Sequence, residues 1–400
     1  MKIAEVVSGT HKKDFLKVPK LLYKNDEFWV CPLDIEIESI FDPEKNNKFK
    51  GGEATRWVLY DANGDLTGRV AAFIEKNYAS VNSQPTGGMG FFECIDDEKA
   101  AFLLFDVAKN WLNERGMEAM DAPINFGENH SYWGLLIDGF MHPGIGMQYH
   151  KTYYRSFFEN YGFRNYYEQY AYHKDLTKVH VFPERFMKIA TWISKKPGYS
   201  FRHFEFSEKE KYIGDIVTIY NSTWSEFKDD FTPLDYDEML KSLENAKPFI
   251  DEELIWFAYY KEKPVSFFII FPDLNQILRH MNGEMHFFNK LRFLYYKYTH
   301  EMTRIRGVVA GVDPKFQNSG IESAIFKHLY HVFKKKPYYK ELELSWIGDF
   351  NPKMQAIYVA VGAEKMKTYI TYRYLFNSDA EFMRYKDEMG KMRRGEEEKR

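Results

Sequence analysis

The sequence predicts a mixed α+β fold that is built twice in tandem. Each half opens with an antiparallel hairpin, and strands then alternate with amphipathic helices, which is typical of a mixed, mostly antiparallel sheet flanked by helices. The same order of elements recurs about two hundred residues downstream, as Trp57 and Trp256 and then Gly162 and Gly362 show. These three observations predict an internal duplication.

The repeat sets the expected domain boundaries. We expect an N-terminal domain over residues 1–177 and a C-terminal domain over 178–377. Residues 378–400 are dense in charge and are expected to form a solvated or frayed helix.

Composition excludes several classes of protein. The chain has 400 residues, of which 44% are hydrophobic, and its net charge of -3 gives no support for a nucleic-acid partner. The apolar run Phe267–Phe271 is far too short to span a bilayer, and the N-terminus lacks the apolar core of a signal peptide. We therefore expect a cytoplasmic protein with no membrane partner, and leave open whether it forms a homodimer. Cys31 and Cys94 have no metal-like spacing, so no metal site is expected.

The first half begins with the strongest short hairpin signal in the chain. Apolar runs flank Asn63-Gly64 and predict a hairpin over Trp57–Glu75. Further patterns predict two strands and two helices: strands Met89–Ile95 and Met117–Ile124, helices Ala100–Asn113 and Thr152–Tyr161.

A long irregular insertion, Phe126–His150, interrupts the first half. It contains glycines, aromatic residues and the histidines His130, His142 and His150, whose spacing is not that of metal ligands. Long irregular loops in compact domains are often functional. We expect this one to have a structural or pocket-lining role, at a substrate pocket or between the halves.

The second half repeats the pattern. Its residue pattern predicts a hairpin, two helices and two strands. In order, these are hairpin Trp256–Phe271, a helix near Glu284–His300, strand Leu342–Ile347, helix Pro352–Val361 and strand Lys367–Phe376. Within it, Asp273 at the end of the hairpin is interpreted as a turn former, with a base or amine-recognition residue as the alternative.

One segment of the second half predicts an anion site. The Val-rich run Gly307–Val312 predicts a buried strand, which Asp313-Pro314 ends. A polar loop to Gly320 follows, and helical periodicity starts at Ile321. Free backbone N–H groups and the helix dipole would both face an anion at this loop.

This segment resembles the cofactor motif of the GCN5-related N-acetyltransferases. The resemblance lies in a strand ending in Val-x-Pro and a Gln-x-x-Gly helix start: Gly311-Val312-Asp313-Pro314, then Gln317-Asn318-Ser319-Gly320-Ile321. Asn351, Tyr358 and Gly362 match the later part of the family pattern. The first half resembles the same fold, so that the likeness covers roughly residues 1–376 and points to a bacterial family of tandem domains of this kind.

The resemblance implies an acyl-CoA-dependent N-acyltransferase. Acetyl-CoA or a longer acyl-CoA would be the co-substrate, and a small-molecule or peptide amine the acceptor. The implied cofactor-binding residues are Gly311, Val312, Gln317, Asn318, Ser319, Gly320, Ile321 and Asn351. Tyr358 would be the general acid that protonates the leaving thiolate. A backbone N–H within Val309–Val312 would stabilise the oxyanion.

Two residues and one segment depart from the family pattern. Glu322 stands where Gly or Ala is usual, and it would repel a pyrophosphate unless its side chain turned to solvent. In the first half, Asp96–Ala100 places three carboxylates where phosphates would bind, and Phe158 matches Tyr358. We expect the first half to be catalytically silent.

Alternatives follow from these departures. The chain could be a non-catalytic binding or scaffolding protein, or an aminoacyl-tRNA-dependent peptidyltransferase, which the net charge of -3 and the lack of a long helical arm disfavour. Tyr358 could be a structural tyrosine in a chain with 29 of them. Asn351, directly before Pro352, is expected to cap a helix whatever else it does.

Overall fold

The computed structural model describes residues 1–76, 79, 84–127, 131–178, 181–224, 233–299, 302–317 and 319–397. Among the helices in these ranges, none is both long and apolar enough to cross a membrane.

Within the described residues the chain forms twelve α-helices and thirteen strands, together with short 3-10 turns. The helices are α1 Gly9–Leu22, α2 Asp34–Ile40, α3 Glu98–Asn113, α4 Tyr154–Tyr161, α5 Glu184–Ser194, α6 Lys209–Trp224, α7 Tyr236–Ala246, α8 Asn275–Leu278, α9 Phe287–Thr299, α10 Ile321–Lys335, α11 Pro352–Ala360 and α12 Tyr385–Glu397. The strands are β1 Lys2–Glu5, β2 Gly52–Tyr60, β3 Leu66–Glu75, β4 Thr86–Cys94, β5 Ala119–Ala122, β6 Leu135–Asp138, β7 Arg164–Asp175, β8 Tyr199–His203, β9 Ile255–Tyr260, β10 Lys263–Pro272, β11 Arg304–Val312, β12 Glu341–Gly348 and β13 Glu364–Leu375.

All thirteen described strands belong to one mixed sheet. Its order is β1-β2-β3-β4-β5-β13-β7-β12-β11-β10-β9-β8, and β6 pairs with β13 off this path. Most neighbours are antiparallel, and the parallel pairs are β4 with β5 and β11 with β12. The predicted fold class is confirmed, and so are the hairpins: β2 pairs with β3 across Gly64 at φ 89°, and β9 pairs with β10.

The two halves exchange their last strands, which the sequence did not reveal. β7 closes the first half in sequence, yet it pairs with β12 of the second half. β13 closes the second half, yet it pairs with β5 and β6 of the first. β7 and β13 also pair with each other over nine residue pairs. The sheet is therefore continuous across the predicted domain boundary.

Helices cover both faces of the second half of the sheet. On one face α5 and α10 pack on a core that includes Ile305, Leu342 and Leu344. On the other face α6 packs on a core that includes Phe257 and Phe267. Side chains alternate between the two faces along a strand. The neighbours of Ile305, Leu342 and Leu344 therefore point away from α10, namely residues 304, 306, 341 and 343.

The first part of the charged tail packs against the sheet through Glu388 of α12. We expected a solvated or frayed helix over 378–400, but Glu388 of α12 is buried and its carboxylate accepts a hydrogen bond from Tyr166 Oη at 2.6 Å. A buried carboxylate needs such partners, and Arg373 is the second, at 3.4 Å.

Candidate active site at the divergence of two parallel strands

Strands β11 and β12 separate part-way along their length. They pair in parallel from Arg304 with Glu341 to Gly307 with Leu344. Beyond that point, in the described register, residues 308–312 and 345–348 are not paired with each other. We call the gap between these two segments the wedge. It exposes strand edges inside the sheet, where an extended ligand can add main-chain hydrogen bonds.

A bulge lies at the apex of the wedge. Val309 pairs with Ile269 and Gly307 pairs with Ile270, so the register skips Val308. A bulge leaves its extra residue outside the ladder and redirects the local backbone. The oxyanion donor expected within Val309–Val312 stays a prediction, and the bulged residue Val308 directly precedes that range.

The strand, loop and helix start that are predicted to bind an anion, together called the cradle, lie at the outer end of the wedge. Gly311 and Val312 end β11, and Asp313 caps the next turn by accepting a hydrogen bond from Lys315 N at 2.9 Å. Gly320 adopts φ 81° as the residue before Ile321, the first residue of α10. A Cβ on Gly320 would lie 2.3 Å from Cδ1, the end of the Ile193 side chain of α5, which would have to shift. The position therefore favours glycine mainly because of its left-handed backbone.

The other residues of the loop adopt tight turns. The N–H of Gln317 donates to Pro314 O at 3.4 Å, and that of Ser319 donates to Phe316 O at 3.2 Å. Asn318, also predicted to bind cofactor, lies outside the described residues. The N–H groups of the first helical turn after Gly320 point out of the helix start, which suits a phosphate.

The Glu322 side chain is half-buried at the start of α10, beside β10 and β11. It lines a narrow cavity of about 10 Å³ together with Ser266, Ala310 and Met354. Burial raises the pKa of its carboxyl, which is offset in part by a hydrogen bond from its own backbone N–H. The Glu322 carboxylate therefore takes up space beside the helix start and accepts a hydrogen bond from a backbone N–H that an acyl-CoA would otherwise use.

Tyr358 lies on α11 in the core beneath α10. Its side chain is 7% exposed, and its ring meets that of Tyr172 edge-on at 5.5 Å between centroids. Burial raises its pKa above the usual value, so the phenol stays protonated and is a weaker acid than an exposed tyrosine. Asn351 caps α11, accepting a hydrogen bond from Met354 N at 3.2 Å.

A cavity of about 430 Å³ lies where the two halves meet, and we call it the junction pocket. Strands β7, β11, β12 and β13 form its floor, and the insertion covers it through Met141, His142 and Gly144. Arg304, Arg306, Glu341 and Glu343 line it, so it opens on the face of the sheet opposite α10. It lies beside the residue pairs that immediately precede the apex of the wedge.

Buried ion pairs hold the floor of the junction pocket. Lys367 Nζ lies 2.6 Å from Glu343 and donates to His142 O at 2.8 Å. Ser345 Oγ accepts from Arg306 Nε at 2.8 Å and donates to Glu343 at 2.9 Å. Burial alone would raise the pKa of Glu343, but Lys367 and Arg306 lower it to about 2. Glu343 is therefore ionised at neutral pH.

Asp273 ties the insertion to the second half. It is fully buried, accepts hydrogen bonds from Ile145 N at 3.0 Å and Asn275 N at 3.1 Å, and pairs with Arg304 Nη2 at 2.8 Å. Burial raises its pKa. The hydrogen bond from Asn275 N is the one expected of a turn-forming Asp. The contacts with Ile145 N and Arg304 satisfy the carboxylate of Asp273 in its buried position. Arg304 Nε has no hydrogen-bond partner among the described residues.

Two histidines face one carboxylate at the junction pocket. His173 Nε2 lies 3.4 Å and His142 Nε2 lies 3.9 Å from Glu341 Oε2. Burial and the nearby cations Arg304 and Lys367 lower the pKa of His142 to about 4. His142 is therefore a neutral imidazole at pH 7 and a weaker base than an exposed histidine.

The corresponding wedge of the first half is filled by the chain itself. β4 and β5 pair only from Thr86 with Ala119 to Gly88 with Asp121. Ile124 N then donates to Met89 O at 2.8 Å, and a Cβ on Gly90 would lie 1.7 Å from Ile124 O. Main chain occupies this gap, so it offers no room to a ligand.

The structure brings together some predicted residues and adds others. Gly311, Val312, Gln317, Ser319, Gly320 and Ile321 lie around one strand end and helix start, with Asn351 and Tyr358 on the neighbouring α11. The sequence did not single out Val308, Glu341, Glu343 or Lys367. His142 and the insertion, expected to line a pocket or join the halves, do both. Within the described residues, no group of three or more His, Cys, Asp or Glu side chains could hold a metal ion.

Comparison with solved structures identifies the class of fold. A tandem GNAT protein from the clavulanic acid biosynthesis pathway superposes with a TM-score of 0.55 at 10% identity, over 95% of this chain and 99% of that one. The chain therefore has the fold of two tandem GCN5-related N-acetyltransferase-like domains.

Two curated proteins resemble the chain over nearly its whole length. Protein YghO of Escherichia coli K12 is 26% identical over 368 residues, which are 90% of this chain and 92% of that protein. A protein named bacterial ceramide synthase, from Caulobacter vibrioides, is 25% identical over 382 residues, 93% of this chain and 97% of that protein. No family model matches the chain.

Proposed function

We propose that the protein is an N-acyltransferase that moves an acyl group from acyl-CoA to an amine. The observation that carries this proposal is the wedge between β11 and β12. It runs from a phosphate-suited helix start at Gly320 to a bulge at Val308, next to a polar pocket on the other face of the sheet. A thioester donor and an amine acceptor can therefore approach one point from opposite faces.

The donor binds along the wedge. The helix start after Gly320 holds the pyrophosphate through backbone N–H groups, and the edge of β11 from Val308 to Val312 binds the pantetheine arm. Glu322 moves aside, because its carboxylate lies in the cavity that the arm needs.

The acceptor binds in the junction pocket. The amine nitrogen forms a bond to the thioester carbonyl carbon, and the C–S bond then breaks to release CoA. His142, neutral at pH 7, takes the proton that the amine loses, and Tyr358 protonates the leaving thiolate. The Val308 N–H stabilises the oxyanion.

The acceptor we propose is an amphipathic amine with a polar head. A ceramide is the amide of a fatty acid and a long-chain amine, and the protein named a ceramide synthase is similar to this chain over 93% of its length. The polar lining of the junction pocket suits an amine bearing hydroxyl groups, because the guanidinium of Arg304 donates hydrogen bonds and the carboxylate of Glu341 accepts them.

Calorimetric titration with acetyl-CoA and with a long-chain acyl-CoA tests the donor site. We expect saturable binding, which Ala310→Trp abolishes because Ala310 lines the narrow cavity of the wedge. The matched control is Val359→Trp on α11, which is 61% exposed and should leave binding unchanged. No heat at millimolar ligand, or equal loss in both variants, would refute the proposal.

The half-buried carboxylate of Glu322 at the helix start favours a second candidate, a tandem fold kept as a non-catalytic binding protein. This candidate predicts that CoA and acyl-CoA are left unchanged in the presence of any amine. Formation of free CoA that depends on both an amine and His142 would exclude it.

A further inference from the structure

Helix α9 turns a continuous apolar face to solvent. Six of its large side chains are between 46% and 77% exposed: Phe287, Phe288, Leu291, Leu294, Tyr295 and Tyr298. At 3.6 residues per turn they cover an arc of about 120° on one side of the helix. Their arrangement is a surface stripe and not a scatter of single residues.

The opposite side of α9 is firmly anchored. Phe293 is buried in a cluster with Val30 and Met281. Asn289 is also buried, and its Nδ2 donates to Met281 O at 3.0 Å and to Glu284 O at 2.8 Å. The helix is therefore held in place with its apolar stripe outward.

Basic residues border the stripe. On the helical wheel Lys290 and Lys297 lie along one edge and Arg292 along the other, and residues 287–299 contain no Asp or Glu. Lys297 Nζ lies 5.4 Å from the Tyr298 ring centroid, so its stem follows an aromatic side chain. Apolar and aromatic residues flanked by long basic side chains are typical of helices that lie in a membrane interface.

We propose that α9 docks the protein on an anionic phospholipid membrane surface. The same face is poorly suited to a second copy of the chain. A two-fold interface through this face would bring the basic residues Lys290, Arg292 and Lys297 of both copies together, and α9 has no acidic residue to pair with them. Anionic headgroups meet the basic edges, while the aromatic and leucine side chains enter the boundary with the acyl chains.

The docking face is connected to the junction pocket. Five residues after the end of α9, β11 starts at Arg304, which lines the pocket. On its other side α9 packs on α8, whose Asn275 Nδ2 donates to Pro143 O of the covering insertion at 3.0 Å. A membrane-bound protein would thus hold the pocket close to lipid. Docking itself does not rest on acyl transfer, and it departs from the expectation of no membrane partner.

Vesicle flotation of the full chain tests the proposal. The probes are vesicles of phosphatidylglycerol with phosphatidylcholine, and vesicles of phosphatidylcholine alone. We expect binding to the anionic vesicles that weakens as salt is added. Leu291→Ser/Leu294→Ser should reduce it about tenfold or more, and so should Lys290→Glu/Lys297→Glu.

The matched control is Ile189→Ser/Trp192→Ser, which removes two exposed apolar side chains at the same spacing on α5. It should leave vesicle binding unchanged. Absence of binding by the unmodified chain, or equal loss in both serine pairs, would overturn the proposal. So would a dimer that light scattering finds in the unmodified chain and that Leu291→Ser/Leu294→Ser dissociates, if vesicle binding is absent.

Discussion

Arg373 and Asp121 form a bidentate ion pair in the interior of the sheet. Arg373 Nε and Nη2 lie 2.6 and 2.8 Å from the two carboxylate oxygens of Asp121, and the side chains are 1% and 0% exposed. The guanidinium also stacks on the Tyr166 ring at 3.6 Å. This pair joins β13 to β5 and so fixes the strand exchange between the halves.

Arg373→Met should cost about 3–5 kcal/mol of the free energy of unfolding, since it leaves a buried carboxylate without its partner. Urea denaturation measures the loss, and Arg373→Met/Asp121→Leu should recover the part that is due to Asp121, while Glu388 still lacks its contact with Arg373. The control Lys188→Met breaks the exposed pair with Glu184 and should cost under about 1 kcal/mol. Similar losses in both single variants would contradict the account of the strand exchange.

Glu322→Ala should tighten acyl-CoA binding. The carboxylate lies in the first turn of α10, at the helix start proposed to hold the pyrophosphate. Its repulsion of a phosphate group is worth about 1 kcal/mol or more, which corresponds to about fivefold in affinity. Calorimetry measures the change. Glu341→Ala in the junction pocket is the control and should leave acyl-CoA affinity unaltered. Weaker binding by Glu322→Ala would show that the carboxylate helps to hold the donor.

Gly320→Ala should impair acyl-CoA binding and stability together. It adds a Cβ at φ 81°, so it should cost at least the 1–2 kcal/mol or so of left-handed strain, and the end of the Ile193 side chain, 2.3 Å away, must also shift. Gly64→Ala is the matched control, because Gly64 has φ 89° and open space around it. That variant should lose only the strain energy, seen in thermal melts, and keep full binding. Intact binding by Gly320→Ala would remove the cradle from the mechanism.

Acidification should destabilise the protein through its buried histidines. His150 accepts a hydrogen bond from Leu136 N at 3.0 Å, and burial lowers its pKa to about 3. Between the unfolded value of about 6.5 and that pKa, only the unfolded chain binds the proton. The free energy of unfolding should therefore fall by a few kcal/mol as pH drops through this window. Above the window, the stabilisation from the neutral histidine is fully present.

Denaturation midpoints across this pH range test the histidine account. His150→Asn keeps an acceptor for Leu136 N but cannot titrate, so its profile should be flatter than that of the unmodified chain. An unchanged slope would assign the acid sensitivity to other groups, such as His142 and His328, whose pKa values are also lowered.

Local signals in the sequence predicted most elements and the cofactor segment. Asn63-Gly64 located the first hairpin, and the break at Asp313-Pro314 with the periodicity from Ile321 located the strand, loop and helix of the cradle. These features depend on neighbouring residues. Assignment of Tyr358 as general acid remains a prediction, since position alone does not establish proton transfer.

The features that were missed depend on distant contacts. Pairing of β7 with β12 joins residues about 170 apart, and alternation along either strand is the same whichever neighbour it has. The junction pocket combines the insertion with four strands, so no single segment reveals it. The apolar stripe of α9 escaped a search for continuous runs because Asn289, Lys290 and Arg292 interrupt it in sequence.

Amide formation by the purified protein tests the central claim most directly. The protein would be incubated with a long-chain acyl-CoA and a long-chain amino alcohol, with free thiol and amide quantified together. The account predicts one amide for each CoA released, and a rate that falls by about a hundredfold or more in His142→Ala. CoA left intact in the presence of bound acyl-CoA and amine, or release of CoA without amide, would contradict it.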